Sequence, residues 1–318
     1  MVLITGGFGY LGGRIANDLR KSGYSLRIGT SRDKLVFKEN QSKNEIVKLD
    51  LMNDKSLEAA CKNVSIVIHL AAMNAESCLQ DPDKALLVNG EGTSRLIKAA
   101  IKKGVDKFIY FSTAHVYGSP LKGNLNENIL PKPQHPYADT HHIAEKYVTA
   151  ASNNKLIKGV VLRLTNAVGP PSNKNANCWM LVSNDLCRQV ATKKTMTINA
   201  SSYLQRDFIS ISEVCRVVNR IINSSNFNSG IFNLSSGSSI SLMELADLIN
   251  KSSFVISNDT GPAHMAAHLG KKGIVLFGFH TTPKKVSIET ENFKPIAVDN
   301  LSNLTAEDVY AKFKSELF

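Results

Sequence analysis

The chain has 318 residues, 43% hydrophobic and 20% charged, enough for one large α/β domain with a smaller appendage. No run reaches the roughly 18 to 20 apolar residues that span a bilayer, which argues against membrane insertion. The net charge of +11 comes from dispersed lysines with no aromatic-interleaved basic stripe. It describes a solvated surface that favours anionic small molecules, not a nucleic-acid interface.

The five cysteines are odd in number and scattered, and no two form a C-x-x-C pair. A disulfide framework and a metal site are therefore not expected. The N-terminal apolar run, residues 1–5, leads straight into a glycine loop, so a cleavable signal would remove the first strand. A cytoplasmic protein is the expectation.

Short apolar runs alternate with longer amphipathic stretches, the pattern of βαβ units on a parallel sheet. Strands are predicted near 1–5, 25–30, 45–49, 65–70, 107–112 and 157–164, and helices near 11–22, 54–62, 83–103 and 137–152. The run 107–112 is apolar throughout and suits a central strand. Beyond about 170 the pattern shortens and grows richer in Ser and Asn. The fold class is a Rossmann-type, doubly wound parallel sheet with a smaller C-terminal α/β portion.

Thr5-Gly6-Gly7-Phe8-Gly9-Tyr10-Leu11-Gly12 follows the first strand and opens a helix. Gly6 permits a tight turn, Gly9 lets the backbone approach a pyrophosphate, and Gly12 allows close helix–strand packing. The amides of the helix start, at Tyr10 and Leu11, and its positive dipole end then face the phosphates. NAD or NADP is the expected cofactor. The acidic residue that would hold a ribose 2′-hydroxyl is missing after the second strand, where Ser31-Arg32 stands instead. An Arg32 guanidinium can pair with a 2′-phosphate, which tilts the choice towards NADP.

With these features the sequence resembles the extended short-chain dehydrogenase/reductase family of nucleotide-sugar epimerases and dehydratases, over about residues 1–250. Beyond the glycine loop the likeness rests on Lys48-Leu-Asp50-Leu51, His69-Leu70-Ala71-Ala72, Asn89-Gly-Glu-Gly-Thr93, Phe111-Ser-Thr-Ala-His-Val-Tyr-Gly118, Tyr137-x-x-x-His141, Arg163-Leu-Thr-Asn166 and Arg206-Asp-Phe-Ile209. The resemblance implies that Asp50 and Leu51 flank the adenine and that Leu70, Ala71 and Ala72 line the cofactor cleft. It sets Asn89 near the nicotinamide, makes Thr113 and Tyr137 the catalytic hydroxyl pair, and assigns Asn166 and Arg206 to the diphosphate of a nucleotide sugar. It also implies a dinucleotide-binding domain over 1–165, with parts of 205–235 returning to it, and a substrate-binding portion over 166–251. A homodimer is a possible assembly.

Hydride transfer at a sugar carbinol needs a base for the hydroxyl proton and a donor to polarise the carbonyl. The family lowers the tyrosine pKa with a Lys one helical turn on. A unit charge about 5 Å away at an effective dielectric of about 20 contributes roughly 3 kcal/mol, about 2 pKa units. Here that position is His141, which can bond cofactor ribose hydroxyls together with Tyr137 but carries no full charge when neutral. Tyr137 is then a weaker base, or the chain is a non-catalytic binder. Dehydratases of the family follow the Thr with Asp-Glu; Ala114 and His115 stand here, so epimerisation or 4-ketone reduction is expected over dehydration.

The last part changes character. Residues 252–318, with Asn258-Asp-Thr-Gly-Pro-Ala-His264 and Gly273-Ile-Val-Leu-Phe-Gly278, resemble the C-terminal part of ADP-heptose:lipopolysaccharide heptosyltransferases. A strand, an Asp-Thr-Gly-Pro turn, a helix at 263–269 and a strand at 274–277 are expected. The acceptor half of such a transferase is absent, so sugar transfer is the least favoured activity.

Overall fold

In the computed structural model, the described residues are 1–31, 44–172, 176–193, 195–224, 228–251, 254–258, 272–277 and 293–297, with single positions at 305, 308 and 311. The first six strands fall where the hydrophobic pattern predicts them: β1 (Val2–Thr5), β2 (Leu26–Thr30), β3 (Asn44–Lys48), β4 (Ile66–His69), β5 (Lys107–Thr113) and β6 (Lys158–Leu164). Helices α1 (Tyr10–Lys21), α2 (Asp54–Cys61) and α6 (Pro136–Asn153) also stand at predicted positions, with α3 (Ala75–Gln80), α4 (Pro82–Ala85) and α5 (Gly92–Lys102) between them.

The helix predicted over 83–103 is broken. Between α4 and α5 the chain widens into a π-helical stretch, Leu86–Glu91. Two glycines weaken the α-helix here. Gly92 also has a packing reason, because a Cβ on it would stand 2.9 Å from Leu51 Cβ. The widened turn carries Asn89 into the interior, where it is fully buried. The short α3 escaped the sequence reading, although Asn74 caps it by accepting a bond from the Ser77 amide.

β7 (Asn166–Val168) leaves this sheet and runs parallel to β8 (Gln205–Ser210). After α7 (Val182–Lys193) and α8 (Ile211–Asn223), the chain returns as β9 (Gly230–Leu234), parallel to β6. The main sheet is therefore seven-stranded and parallel, in the order β3-β2-β1-β4-β5-β6-β9. Its first six strands follow the doubly wound arrangement, whose order reverses beside β1. Ligands of such sheets bind outside the carboxyl ends of the strands at that reversal. Leu3, Leu57, Val67, Leu96, Phe108 and Val161 lie in the core between sheet and helices, and none is more than 1% exposed.

Contacts divide the chain into two units: Met1–Thr165 with Pro171–Ala176 and Val214–Ser235, and Asn166–Pro170 with Asn177–Glu213 and Ser236–Phe318. In the second unit β10 (Ser239–Ser241) pairs antiparallel with β8, followed by α9 (Leu242–Lys251). A separate parallel sheet holds β11 (Phe254–Asn258), β12 (Lys272–Phe277) and β13 (Phe293–Ala297). Two of these are the strands expected on either side of the Asp-Thr-Gly-Pro turn. The turn itself and the helix at 263–269 lie outside the described residues. No helix among the described residues is long and apolar enough to cross a membrane.

Candidate active site

The glycine loop sits at the carboxyl end of β1. Gly6 has φ +67°, and a Cβ there would meet the Ala71 amide nitrogen at 3.0 Å. Only glycine makes that turn without strain while approaching the end of β4 so closely. Gly12 is even more confined, since a Cβ on it would fall 2.3 Å from the Gly6 carbonyl oxygen. Gly9 caps α1 with no side-chain bond, and the first turn from Tyr10 and Leu11 holds no acidic residue. No acidic side chain in the first turn offsets the positive helix end, and Gly6 and Gly12 let backbone segments approach closely. This cradle fits a dinucleotide pyrophosphate.

The other cofactor candidates lie on the same edge. Asp50, just past β3, is exposed, and its carboxylate accepts from the Met52 amide at 2.9 Å. Leu51 is buried against Gly92. Leu70 and Ala71 are half-buried and Ala72 is exposed. The Thr5 hydroxyl accepts from the Leu70 and Ala71 amides at 3.1 and 3.2 Å, which fixes the β4 turn against the glycine loop. Arg32 lies outside the described residues.

Thr113 ends β5, and Tyr137 stands in the first turn of α6. Pro136 opens that helix, and His135 caps it by accepting from the Ala138 amide at 3.2 Å. Burial pushes the Tyr137 phenol up to about 12; the Cys78 thiol beside it adds to this, while a hydrogen bond with Thr113 pulls the other way. His141 is 3% exposed, and burial, aided by His115, pushes its imidazole down to about 3. It is neutral at ordinary pH. Its Nδ1 is 2.7 Å from the Tyr110 hydroxyl, and its ring meets that of Tyr137 edge-on at 4.5 Å. The buried Nε2 has no hydrogen-bond partner among the described residues. An orphaned nitrogen beside the tyrosine fits a ribose hydroxyl of the cofactor, which would satisfy it.

One turn further along α6, Glu145 is 1% exposed and pairs with the buried Arg163 of β6 at 3.0 and 2.7 Å. It also accepts from the Ser112 hydroxyl at 2.6 Å. Breaking one partner of such a pair costs about 3 to 5 kcal/mol, so the pair holds α6 against β5 and β6. Asn89 has its amide oxygen bound to the Met73 amide at 2.7 Å, and its nitrogen to Thr140 at 3.2 Å. Sequence reasoning did not find Tyr110, Cys78 or Glu145. Each is a single residue inside an ordinary helix or strand pattern, and only the fold brings it to the site.

Asn166 and Arg206 belong to the second unit. The Asn166 side-chain amide donates to the Asp207 carbonyl at 2.9 Å, one residue before its register partner Phe208. Arg206 on β8 is partly buried, which lowers its guanidinium pKa.

A glycine-rich turn into a helix at the reversal of a parallel sheet, with Thr113 and Tyr137 at the end of β5 and the start of α6, fits a dinucleotide-dependent enzyme. The chain belongs to the NAD dependent epimerase/dehydratase family, whose model matches residues 2–235. Residues 217–314 also match glycosyltransferase family 9 (heptosyltransferase). GDP-6-deoxy-D-talose 4-dehydrogenase of Aggregatibacter actinomycetemcomitans is 27% identical over 253 residues, 78% of each chain. UDP-N-acetylglucosamine 4-epimerase from Methanobrevibacter ruminantium M1, solved with UDP-N-acetylmuramic acid, superposes with TM-score 0.69 at 26% identity, covering 78% of this chain and 80% of that one. MoeE5 in complex with UDP-glucose and NAD gives 0.68 at 26% identity, covering 77% and 79%.

Proposed function

We propose that the chain reduces the 4-keto group of a nucleoside-diphosphate sugar, and epimerises the matching carbinol more slowly. The observation that carries this reading is Tyr137, bonded to Thr113 and held protonated beside a neutral His141. NAD(H), when bound, would supply or accept the hydride.

In the reducing direction Thr113 polarises the ketone and Tyr137 donates the proton to the forming alkoxide, its resting state being the required acid. The oxidising direction needs the phenolate. With a pKa of about 12, that form is about 10⁵ times scarcer than the phenol at pH 7. An epimerase must pass through the oxidising step in every turnover, so reduction is favoured. His141 Nε2 and Tyr137 orient the cofactor ribose. Gly6, Gly9, Tyr10, Leu11 and Gly12 cradle the pyrophosphate. Asp50 and Leu51 would flank the adenine, Leu70 to Ala72 would line the cleft, and Asn89 would sit near the nicotinamide. Asn166 and Arg206 receive the sugar's diphosphate.

The family and the NAD-bound relative support NAD as cofactor. A role for Arg32 would add NADP. Ala114, with no proton to transfer, supports the exclusion of dehydration. The neutral His141 also favours a second reading, a dinucleotide binder without turnover.

The test incubates the chain with NADH or NADPH and a nucleoside-diphosphate 4-keto-6-deoxyhexose. Consumption of reduced nicotinamide with formation of the 6-deoxyhexose is expected. Tight cofactor binding without turnover would leave the binder reading instead. Arg32→Ala should weaken NADP more than NAD, and equal losses would remove Arg32 from the site.

A further inference from the structure

His69 closes β4 and is fully buried. Its ring lies between two hydroxyls, with Nδ1 2.6 Å from Thr5 Oγ1 and Nε2 2.9 Å from Thr93 Oγ1. The bonds around it fix every proton. Thr93 Oγ1 lies 2.6 Å from the Asn89 carbonyl, which can only accept, so the single Thr93 proton is committed there. Thr93 must then accept from His69, which requires a proton on Nε2. A neutral ring leaves Nδ1 bare, so Thr5 donates to it. Thr5 Oγ1 uses its remaining acceptor capacity on the Leu70 and Ala71 amides. Neither hydroxyl has a spare proton, and Thr5 has no spare acceptor site.

The set continues beyond Thr93. The Asn89 side chain takes the Met73 amide and donates to Thr140 Oγ1, and Thr140 donates to the Pro136 carbonyl at 2.8 Å or the Tyr137 carbonyl at 3.1 Å. Two runs of bonds, one ending on the Asn89 backbone carbonyl and one starting from its side chain, thus join through Asn89 the residue before Gly6, the β4 turn, the π-helical stretch and the first turn of α6. A protonated His69 would break the direction, because Thr5 would face three donors and keep its own proton without an acceptor. Burial works against that state and pushes the His69 imidazole down to about 3.

We infer that His69 is a positioning residue: locked as the Nε2–H tautomer between Thr5 and Thr93, it sets the glycine turn and the Tyr137 segment in one hydrogen-bonded frame. The part that concerns the cofactor rests on the reading of the glycine loop as its cradle. The tautomer does not.

Two measurements test it on the full chain. Nitrogen NMR of histidine-labelled protein should show His69 neutral, with its proton on Nε2, from about pH 5 to pH 9. A proton on Nδ1, or titration within that range, would overturn the assignment whatever the glycine loop binds. The second measurement is NAD affinity and thermal stability of Thr93→Val and Thr93→Ser. Valine matches the shape but strands the His69 donor and the Asn89 carbonyl, and should weaken NAD about tenfold. Serine, which keeps the hydroxyl, should restore affinity to within about twofold. A stable Thr93→Val protein that binds NAD like the parent would reduce His69 to a core residue. If Thr93→Val fails to fold, a loss of about tenfold in NAD affinity in Thr93→Ser, which keeps the hydroxyl, would have the same consequence.

Discussion

The two ends of the proposed dinucleotide site meet their chemistry in different ways. At the carboxyl ends of β1 and β4 the demand is for shape: a left-handed turn at Gly6, no side chain at Gly12, and amides aimed by Thr5. Every one of these is present. At the junction of β5 and α6 the demand is for charge, and there it is not met. His141 keeps the position of a partner one turn from Tyr137 while burial keeps it neutral. Shape is enforced by contacts that any substitution would violate. A charge can be lost without disturbing the packing, provided the replacement finds a bond such as that to Tyr110. On the proposed reading, binding and turnover are therefore separable in this chain.

The sharpest way to separate them is Tyr137→Phe. It removes the proton donor and one bond to the cofactor ribose, and should lower turnover by about 10² to 10⁴-fold while NAD affinity falls by no more than about tenfold. Turnover that survives in that variant would remove the proposed acid.

Gly12→Val attacks the shape end. With a Cβ position 2.3 Å from a backbone oxygen, the helix start must shift, and NAD binding in a titration should fall by more than about tenfold. Unchanged affinity would break the comparison at its better-supported end.

His141→Lys restores the charge. The alkaline rise of the oxidising reaction should move down by about 2 pH units, because a nearby cation stabilises the phenolate. An unchanged profile would show that position 141 does not govern Tyr137.

The mildest effect at neutral pH concerns stability. His69 and His141 both fall to about 3 in the folded chain, against 6.5 for a free imidazole. The unfolded chain therefore binds more protons between these values, and stability present above about pH 6.5 is lost as pH falls towards 3. Urea midpoints should be level from pH 7 to 8 and decline below about 6.5, less steeply in His141→Gln. Equal slopes in the two proteins would mean that His141 is not buried as a neutral ring.

How much of this was legible in the sequence differs between the same two ends. The alternation of apolar runs marked the first six strands, and the position of Gly6, Gly9 and Gly12 after β1 marked the cradle, because backbone geometry leaves a local signature. The substitution at 141 was legible too, as a missing lysine. Its consequence was not. That Tyr110 would engage Nδ1, and that Cys78 would stand beside Tyr137, depends on α3 and β5 meeting α6 in space. The break at Leu86–Glu91 was hidden for a related reason, since an apolar period runs through it and only the packing of Gly92 on Leu51 shows why the helix yields. His69 read as one letter of a motif. Its role needed the partners on β1 and α5.

The most direct test of the account is the ionisation of Tyr137 itself. Tyrosinate absorbance, titrated in the parent chain and in Tyr137→Phe, isolates this one phenol by difference. The account requires that the difference signal stay absent from pH 7 through pH 10, with Tyr137 ionising near 12. A tyrosinate signal belonging to Tyr137 at pH 7 to 8 would contradict it, and would show that some other charge does the work the missing lysine leaves undone.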